Sequence, residues 1–238
     1  MSNPDGSGRP RHARDELFSA LADDTRREVL QIAHEQSPTG VTKAKLAAEL
    51  VSRTAADVDM VSDDGRKRAL VDCHHRLLPA LADAGLITET DGRIVTTDHW
   101  AFDDAELGAV IAGQTTDYGT DIDALFEALA DARRRTAITV LEGRQQPLSV
   151  EALAREVAAS ETDQIEQVQS ALTHVHLPLL RDAGLIGYDT ASRRVSYEGH
   201  PVLHTGWLEK QPERGSPADA SGQSLKSGPE LARSGIEQ

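Results

Sequence analysis

The feature that most constrains this fold is an internal repeat. Leu17-Phe18-Ser19-Ala20-Leu21-Ala22-Asp23 returns as Leu125-Phe126-Glu127-Ala128-Leu129-Ala130-Asp131, and an arginine run follows each copy, Arg26-Arg27 in one and Arg133-Arg134-Arg135 in the other. Further on, Leu78-Pro79-Ala80-Leu81-Ala82-Asp83-Ala84-Gly85-Leu86-Ile87 returns as Leu177-Pro178-Leu179-Leu180-Arg181-Asp182-Ala183-Gly184-Leu185-Ile186. The first blocks lie 108 residues apart and the second blocks 99, so the first copy carries nine extra residues. These fall most naturally in the polar, Asp-rich stretch 53–65. Two blocks matching in the same order mark one module used twice, and the length suffices for two small cores.

Caps and breakers give both copies the same order of elements. Residues 15–22 and 121–130 read as short amphipathic helices. Thr25-x-x-Glu28 fits a capping box opening a second helix, with Val29, Leu30, Ile32 and Ala33 on its apolar side. Thr42 and Ser149 are expected to cap third helices carrying Leu46, Ala47 and Leu50, and Leu153, Ala154 and Val157. A longer helix follows in each copy, over 64–84 and 162–183. Pro79 and Pro178, at equivalent positions, should kink it or start a fresh helical segment. Gly85 and Gly184 supply left-handed C-terminal caps. Strands over 86–89 and 93–97 join through Asp91-Gly92, a strong hairpin signal, and strands over 185–188 and 194–197 join across a longer turn.

Helices followed by a hairpin give a mainly α architecture with small β-hairpin wings: two tandem winged helix-turn-helix domains over 15–98 and 121–208. The linker 99–120 is expected to carry a helix through Phe102, Leu107 and Val110, and the domains to pack through it. Residues 1–14 and 209–238, rich in polar residues, Pro and Gly, read as disordered tails.

Charge narrows the function. A net charge of −14 and a pI near 5.0 exclude a protein that coats nucleic acid by bulk charge. Most of the basic residues are Arg, while Asp and Ala are abundant. That bias suits a halophile, because in molar salt the Debye length shrinks to roughly 3 Å and an acidic surface aids solubility without severe self-repulsion. Cys73 is the single cysteine, so no disulfide framework exists. Residues 1–14 lack the apolar core of a signal peptide, and no apolar run approaches the roughly 18 residues of a membrane span. The expected location is the cytoplasm, with no membrane partner.

The run Leu21-Ala22-Asp23-Asp24-Thr25-Arg26-Arg27-Glu28-Val29-Leu30 resembles the opening of the DNA-binding domain of ArsR-type winged-helix repressors. His75 with Leu78, Leu81 and Ala84-Gly85-Leu86-Ile87 is similar to that family's recognition helix and entry into the wing. The second copy, through His174-Val175-His176-Leu177-Pro178 and Asp182-Ala183-Gly184-Leu185-Ile186, looks closer to an uncharacterised haloarchaeal domain family that occurs as tandem winged-helix repeats. The resemblance spans 15–95 and 121–197 and implies a transcriptional regulator.

A DNA reader needs side chains that reach base edges and cations that hold phosphates. The first copy offers Arg66, Lys67 and Arg68 at the start of its long helix, then His74, His75 and Arg76, with Lys43 and Lys45 on the preceding helix and Arg93 on the wing. The second copy opens its long helix with Glu161, Asp163 and Glu166, which repel phosphate. Gln164, Gln167, Gln169 and Thr173 are its base-reading candidates, and Arg193 and Arg194 are its wing cations. The expected protein is therefore a DNA-binding transcriptional regulator of a halophilic archaeon. Its partner is double-stranded DNA, contacted mostly by the first copy, with a homodimer or a protein partner engaged through the second. The competing class is a winged-helix protein-protein interaction module that does not read DNA. Cys73-His74-His75 and His174-x-His176 contain metal-ligand types, but adjacent helical residues point about 100° apart and the paired cysteines of ArsR-type metal sites are absent. No metal, cofactor or enzymatic activity is expected, since no phosphate loop, nucleophile elbow or His-Glu-x-x-His helix appears.

Overall fold

A computed structural model describes residues 9–54, 63–114, 121–159, 164–201, 203 and 205–208. The first repeat runs α1 (Arg9–Leu21), α2 (Asp24–Glu35), α3 (Lys43–Thr54), α4 (Asp63–Asp72), a π turn (Cys73–Leu77), α5 (Leu78–Asp83), β1 (Ile87–Thr90) and β2 (Arg93–Thr96). A 3-10 turn (Trp100–Phe102) and α6 (Ala105–Ile111) follow. The second repeat runs α7 (Ile122–Leu129), α8 (Ala132–Glu142), β3 (Leu148–Ser149), α9 (Val150–Ala158), α10 (Ile165–Ala171), a π turn (Leu172–His176), α11 (Leu177–Asp182), β4 (Ile186–Asp189) and β5 (Arg194–Tyr197), and α12 (Thr205–Leu208) closes it. The chain is thus mainly helical, with one small antiparallel sheet per repeat. In the second, the strand order is β3-β5-β4; in the first, β1 pairs with β2 and Val41 bridges to Ile94 where β3 would lie.

Local chemistry sets the ends of these elements. Asp23 Oδ1 accepts from the Arg26 amide at 2.8 Å and Asp131 Oδ1 from the Arg134 amide at 3.0 Å, capping α2 and α8. The expected Thr25-x-x-Glu28 box is therefore not the cap: Thr25 already lies in the first turn of α2, where its hydroxyl donates to Asp24. An Asp two residues upstream, with extended backbone, takes the amide first. Thr42 and Ser149 do cap α3 and α9, accepting from the Lys45 and Ala152 amides. Gly85 and Gly184 adopt φ of 72° and 71°, and the amides of Leu86 and Leu185 each donate to a carbonyl five residues back, the bond that closes a Schellman cap. Asp91 and Gly92 both take positive φ, as a tight two-residue hairpin requires.

Pro79 and Pro178 each mark a fresh helical segment. The amides of Leu78 and Leu177 donate five residues back, to the Cys73 and Leu172 carbonyls, so one helical turn widens just before the ring. Pro79 and Pro178 then occupy the first turn of α5 and α11, where a missing N–H leaves no bond unmade.

Two expectations about boundaries change. The first helix starts at Arg9, so residues 9–14 belong to it rather than to a tail. The linker helix is broken: the 3-10 turn ends at Phe102, and Asp104 caps α6 by accepting from the Leu107 amide. The remaining tail residues, the centre of the nine-residue excess, Glu161 to Asp163 and the linker end lie outside the described residues.

The repeats pack through α1 and α7, not through the linker helix, whose α6 lies instead on α2 of the first repeat. Phe18 and Phe126, equivalent residues, stack with ring centres 6.0 Å apart at 21°. Arg27 donates to the Leu21 carbonyl at 2.7 Å and pairs with Asp123; Arg135 donates to the Leu129 carbonyl at 2.6 Å and pairs with Asp15 at 2.8 Å. Every one of these positions maps onto its counterpart by the 108-residue offset. Trp207 of α12, fully buried, sits 6.2 and 6.1 Å from the two Phe rings, and its indole N–H donates to Asp104. Arg14 lies over the Trp100 ring and donates to the Trp207 carbonyl.

Candidate nucleic-acid interface

In α4 no side chain is buried, because the helix turns its single half-buried alanine, Ala69, to the core and everything else outward. Arg66, Lys67 and Arg68 are exposed, and the ion pairs of Arg66 with Asp63 (3.9 Å) and Lys67 with Asp64 (3.8 Å) are long and solvated. Such pairs hold a side chain weakly. The π turn then sorts its residues. Cys73 and Leu77 point into the core, while His74, His75 and Arg76 point out, the two imidazoles edge to face at 4.6 Å.

The other candidate cations of the first repeat each have a partner within the fold. Arg76 reaches back to Asp23, the cap of α2, at 3.0 Å. Lys43 pairs with Glu89 of β1 at 2.7 Å, and the Lys45 ammonium donates to Gln36. Arg93 donates to the Gly40 carbonyl at 3.0 Å, and its counterpart Arg194 donates to the Pro147 carbonyl at 2.6 Å. Both therefore brace the strand-entry loop against the hairpin. Arg193 is exposed at the hairpin turn, with φ of 53°.

The matching helix of the second repeat shows a different surface. Gln164, Ile165, Glu166 and Gln167 are exposed, Gln169 and Thr173 are half-buried, and Thr173 donates to the Gln169 carbonyl. His174 and Val175 face outward; His176 is buried, with Nδ1 3.9 Å from Asp131 Oδ1. Ile165 and Val175, about half exposed, join Leu70 and Val71 of α4 as the large apolar side chains most open to solvent among the described residues.

Electrostatics separates anchored from exposed groups. Burial works against ionising Asp23, but the Arg26 amide and the charges of Arg26 and Arg76 outweigh it and hold the carboxyl below its usual range. Burial, with the charge of Asp72, pushes the Cys73 thiol up to about 11. At neutral pH the protonated thiol is the favoured form. Cys73 and its histidine neighbours point to opposite sides of the helix, and among the described residues no three His, Cys, Asp or Glu side chains gather as a metal site. No helix of the described residues is long and apolar enough to cross a membrane.

One family model matches the chain twice, over residues 18–96 and 126–196, each match starting at the paired phenylalanines and ending in the second hairpin strand. No curated protein and no solved structure matches it.

Proposed function

The chain belongs to the DUF7344 family, a domain of unknown function that it carries twice, and from that premise we propose a winged-helix transcriptional regulator that binds double-stranded DNA through the long helix of its first repeat. The observation that carries this reading is α4 and its π turn. They hold out Arg66, Lys67, Arg68, His74 and His75 on the helix that leads into the hairpin, whereas Arg76 and Arg93 reach back to shorter contacts with Asp23 and Gly40. Exposed cations at the start of such a helix suit phosphates, and the imidazoles further along suit base edges. The order of helices and hairpin, the third strand on the second hairpin with the Val41 bridge on the first, and the ArsR-like run at Leu21 to Leu30 all favour the winged-helix assignment. The acidic, Arg-biased composition favours a halophilic archaeal source and the cytoplasm.

The second repeat favours a protein contact instead. Large apolar side chains are open on both long helices, but by the 99-residue offset exposed Ile165, Glu166 and Gln167 stand where the first repeat has Arg66, Lys67 and Arg68, so a phosphate binder's cations are replaced by apolar area and an acid. The test is retention of genomic fragments by full-length protein in high-potassium buffer, since low salt exaggerates non-specific attachment. Discrete fragments, lost when Arg66, Lys67 and Arg68 are changed to Ala, support DNA reading through α4. Retention of no fragment by folded protein transfers the function to a protein-interaction module.

A further inference from the structure

The contact between the repeats is built the way a two-fold dimer builds one. In such an interface, residue i of one half meets residue j of the other, and j meets i in return. Here Asp15 meets Arg135 while Arg27 meets Asp123, and Phe18 meets Phe126, its own counterpart, on the axis. Each arginine also closes the C-terminus of its own repeat's first helix, through the Leu21 or Leu129 carbonyl. The pairing surface is consumed inside the chain, and Trp207 packs on both aromatic rings, occupying ground a further copy would need.

We infer that one chain is the complete two-fold unit, working as a monomer on a bipartite DNA site of two inverted halves, of which the half under the first repeat is held the more tightly and carries most of the sequence dependence. The inference rests on the DNA reading proposed above. Its asymmetry comes from the long helices: the pseudo-two-fold relates α4 to α10, but α4 exposes Arg66, Lys67 and Arg68, whereas α10 exposes Ile165, Glu166 and Gln167. A half-site facing the second repeat meets no cation on α10 and Arg193 at the hairpin turn, so that helix is held loosely at the phosphates and its exposed Gln164 and Gln167 add little sequence dependence.

Two measurements on the full-length protein test this. Sedimentation equilibrium in potassium chloride, across a dilution series, is expected to return a single chain of 25.7 kDa; a dimer overturns the inference. With the best retained duplex, native mass spectrometry is expected to give one chain per DNA. Hydroxyl-radical footprinting is expected to show two protected segments with centres about 34–36 Å apart, or a multiple of that. Base changes in one half should each lower affinity about tenfold, and in the other about threefold at most. Two chains per duplex, or equal sensitivity of both halves, overturns it. If no duplex is retained, the DNA reading fails and the bipartite site fails with it, while a monomeric mass still upholds the single-chain unit and a dimeric one removes that too.

Discussion

Arg27 and Arg135 stand 108 positions apart and do the same two things, each closing the first helix of its own repeat and reaching an aspartate in the first helix of the other. They are not equally placed. The side chain of Arg135 is 6% exposed and that of Arg27 18%, and their partners Asp15 and Asp123 are 28% and 46% exposed. The pair joining Arg135 to Asp15 is the drier one, so losing its cation strands a carboxylate and a carbonyl in poorly solvated surroundings.

Arg135→Ala is accordingly expected to lower unfolding free energy by about 3 kcal/mol, and Arg27→Ala by about 1 kcal/mol. Urea titration followed by circular dichroism reads the difference. Equal losses would show that burial does not set the strength of these two contacts.

Trp207→Ala should cost about 3–5 kcal/mol, because a fully buried indole against Phe18 and Phe126 leaves a cavity where the repeats meet. Trp207→Phe keeps most of that packing and loses the hydrogen bond to Asp104, at about 1 kcal/mol. Thermal unfolding of both variants checks the order; an alanine variant as stable as the parent removes α12 from the fold's support.

Acid should weaken the first repeat through Asp23. Its carboxyl is held below its ordinary value in the folded chain, so the stability it contributes is complete above the unfolded pKa, about 3.9, and is lost as pH falls through the lower folded one. Asp23→Asn keeps a good helix cap but no charge. Below about pH 4 the parent should converge on the variant, and near neutrality it should exceed it. A gap that is constant from neutral pH down to the acid limb contradicts the Arg76 contact.

Changing Arg66, Lys67 and Arg68 together to Ala should leave stability within about 0.5 kcal/mol, since all three are exposed. If the α4 reading is right, the same change lowers the slope of log affinity against log salt by about 2–3. Arg93→Ala and Arg194→Ala should do the reverse, each losing about 1 kcal/mol of stability with the loop bonds to Gly40 and Pro147. Calorimetry and filter binding at several potassium concentrations separate the two groups.

Much of this was legible in the sequence, and the reason is locality. Gly85, Gly184, Asp91-Gly92, Thr42 and Ser149 act on backbone groups a few residues away, so their roles follow from spacing. The cap at Asp23 was missed because two capping patterns overlap there, and only the backbone shows which residue is extended. The partners of Arg27 and Arg135 lie 96 and 120 positions off, where no periodicity points. A clue existed nonetheless: Asp15 and Arg27 recur at the repeat offset as Asp123 and Arg135, charged residues kept in both copies. Trp207 follows the last hairpin in a segment without apolar rhythm, so nothing local announced that it would be buried. At the site, composition located the cations but not their obligations: Arg76, Arg93 and Arg194 look the same as Arg66 until their carboxylate and carbonyl partners are in view.

Two separate chains meeting as α1 meets α7 would part on dilution. Joined through residues 97–121, the halves meet at an effective concentration fixed by the tether, in the millimolar range for short connections, whatever the amount of protein in the cell. A protein built this way keeps its two-fold form at a handful of copies per cell. A change to one half also appears once per assembly, not twice, which leaves the long helix of the second repeat able to acquire Ile165 and Val175 while that of the first keeps its cations.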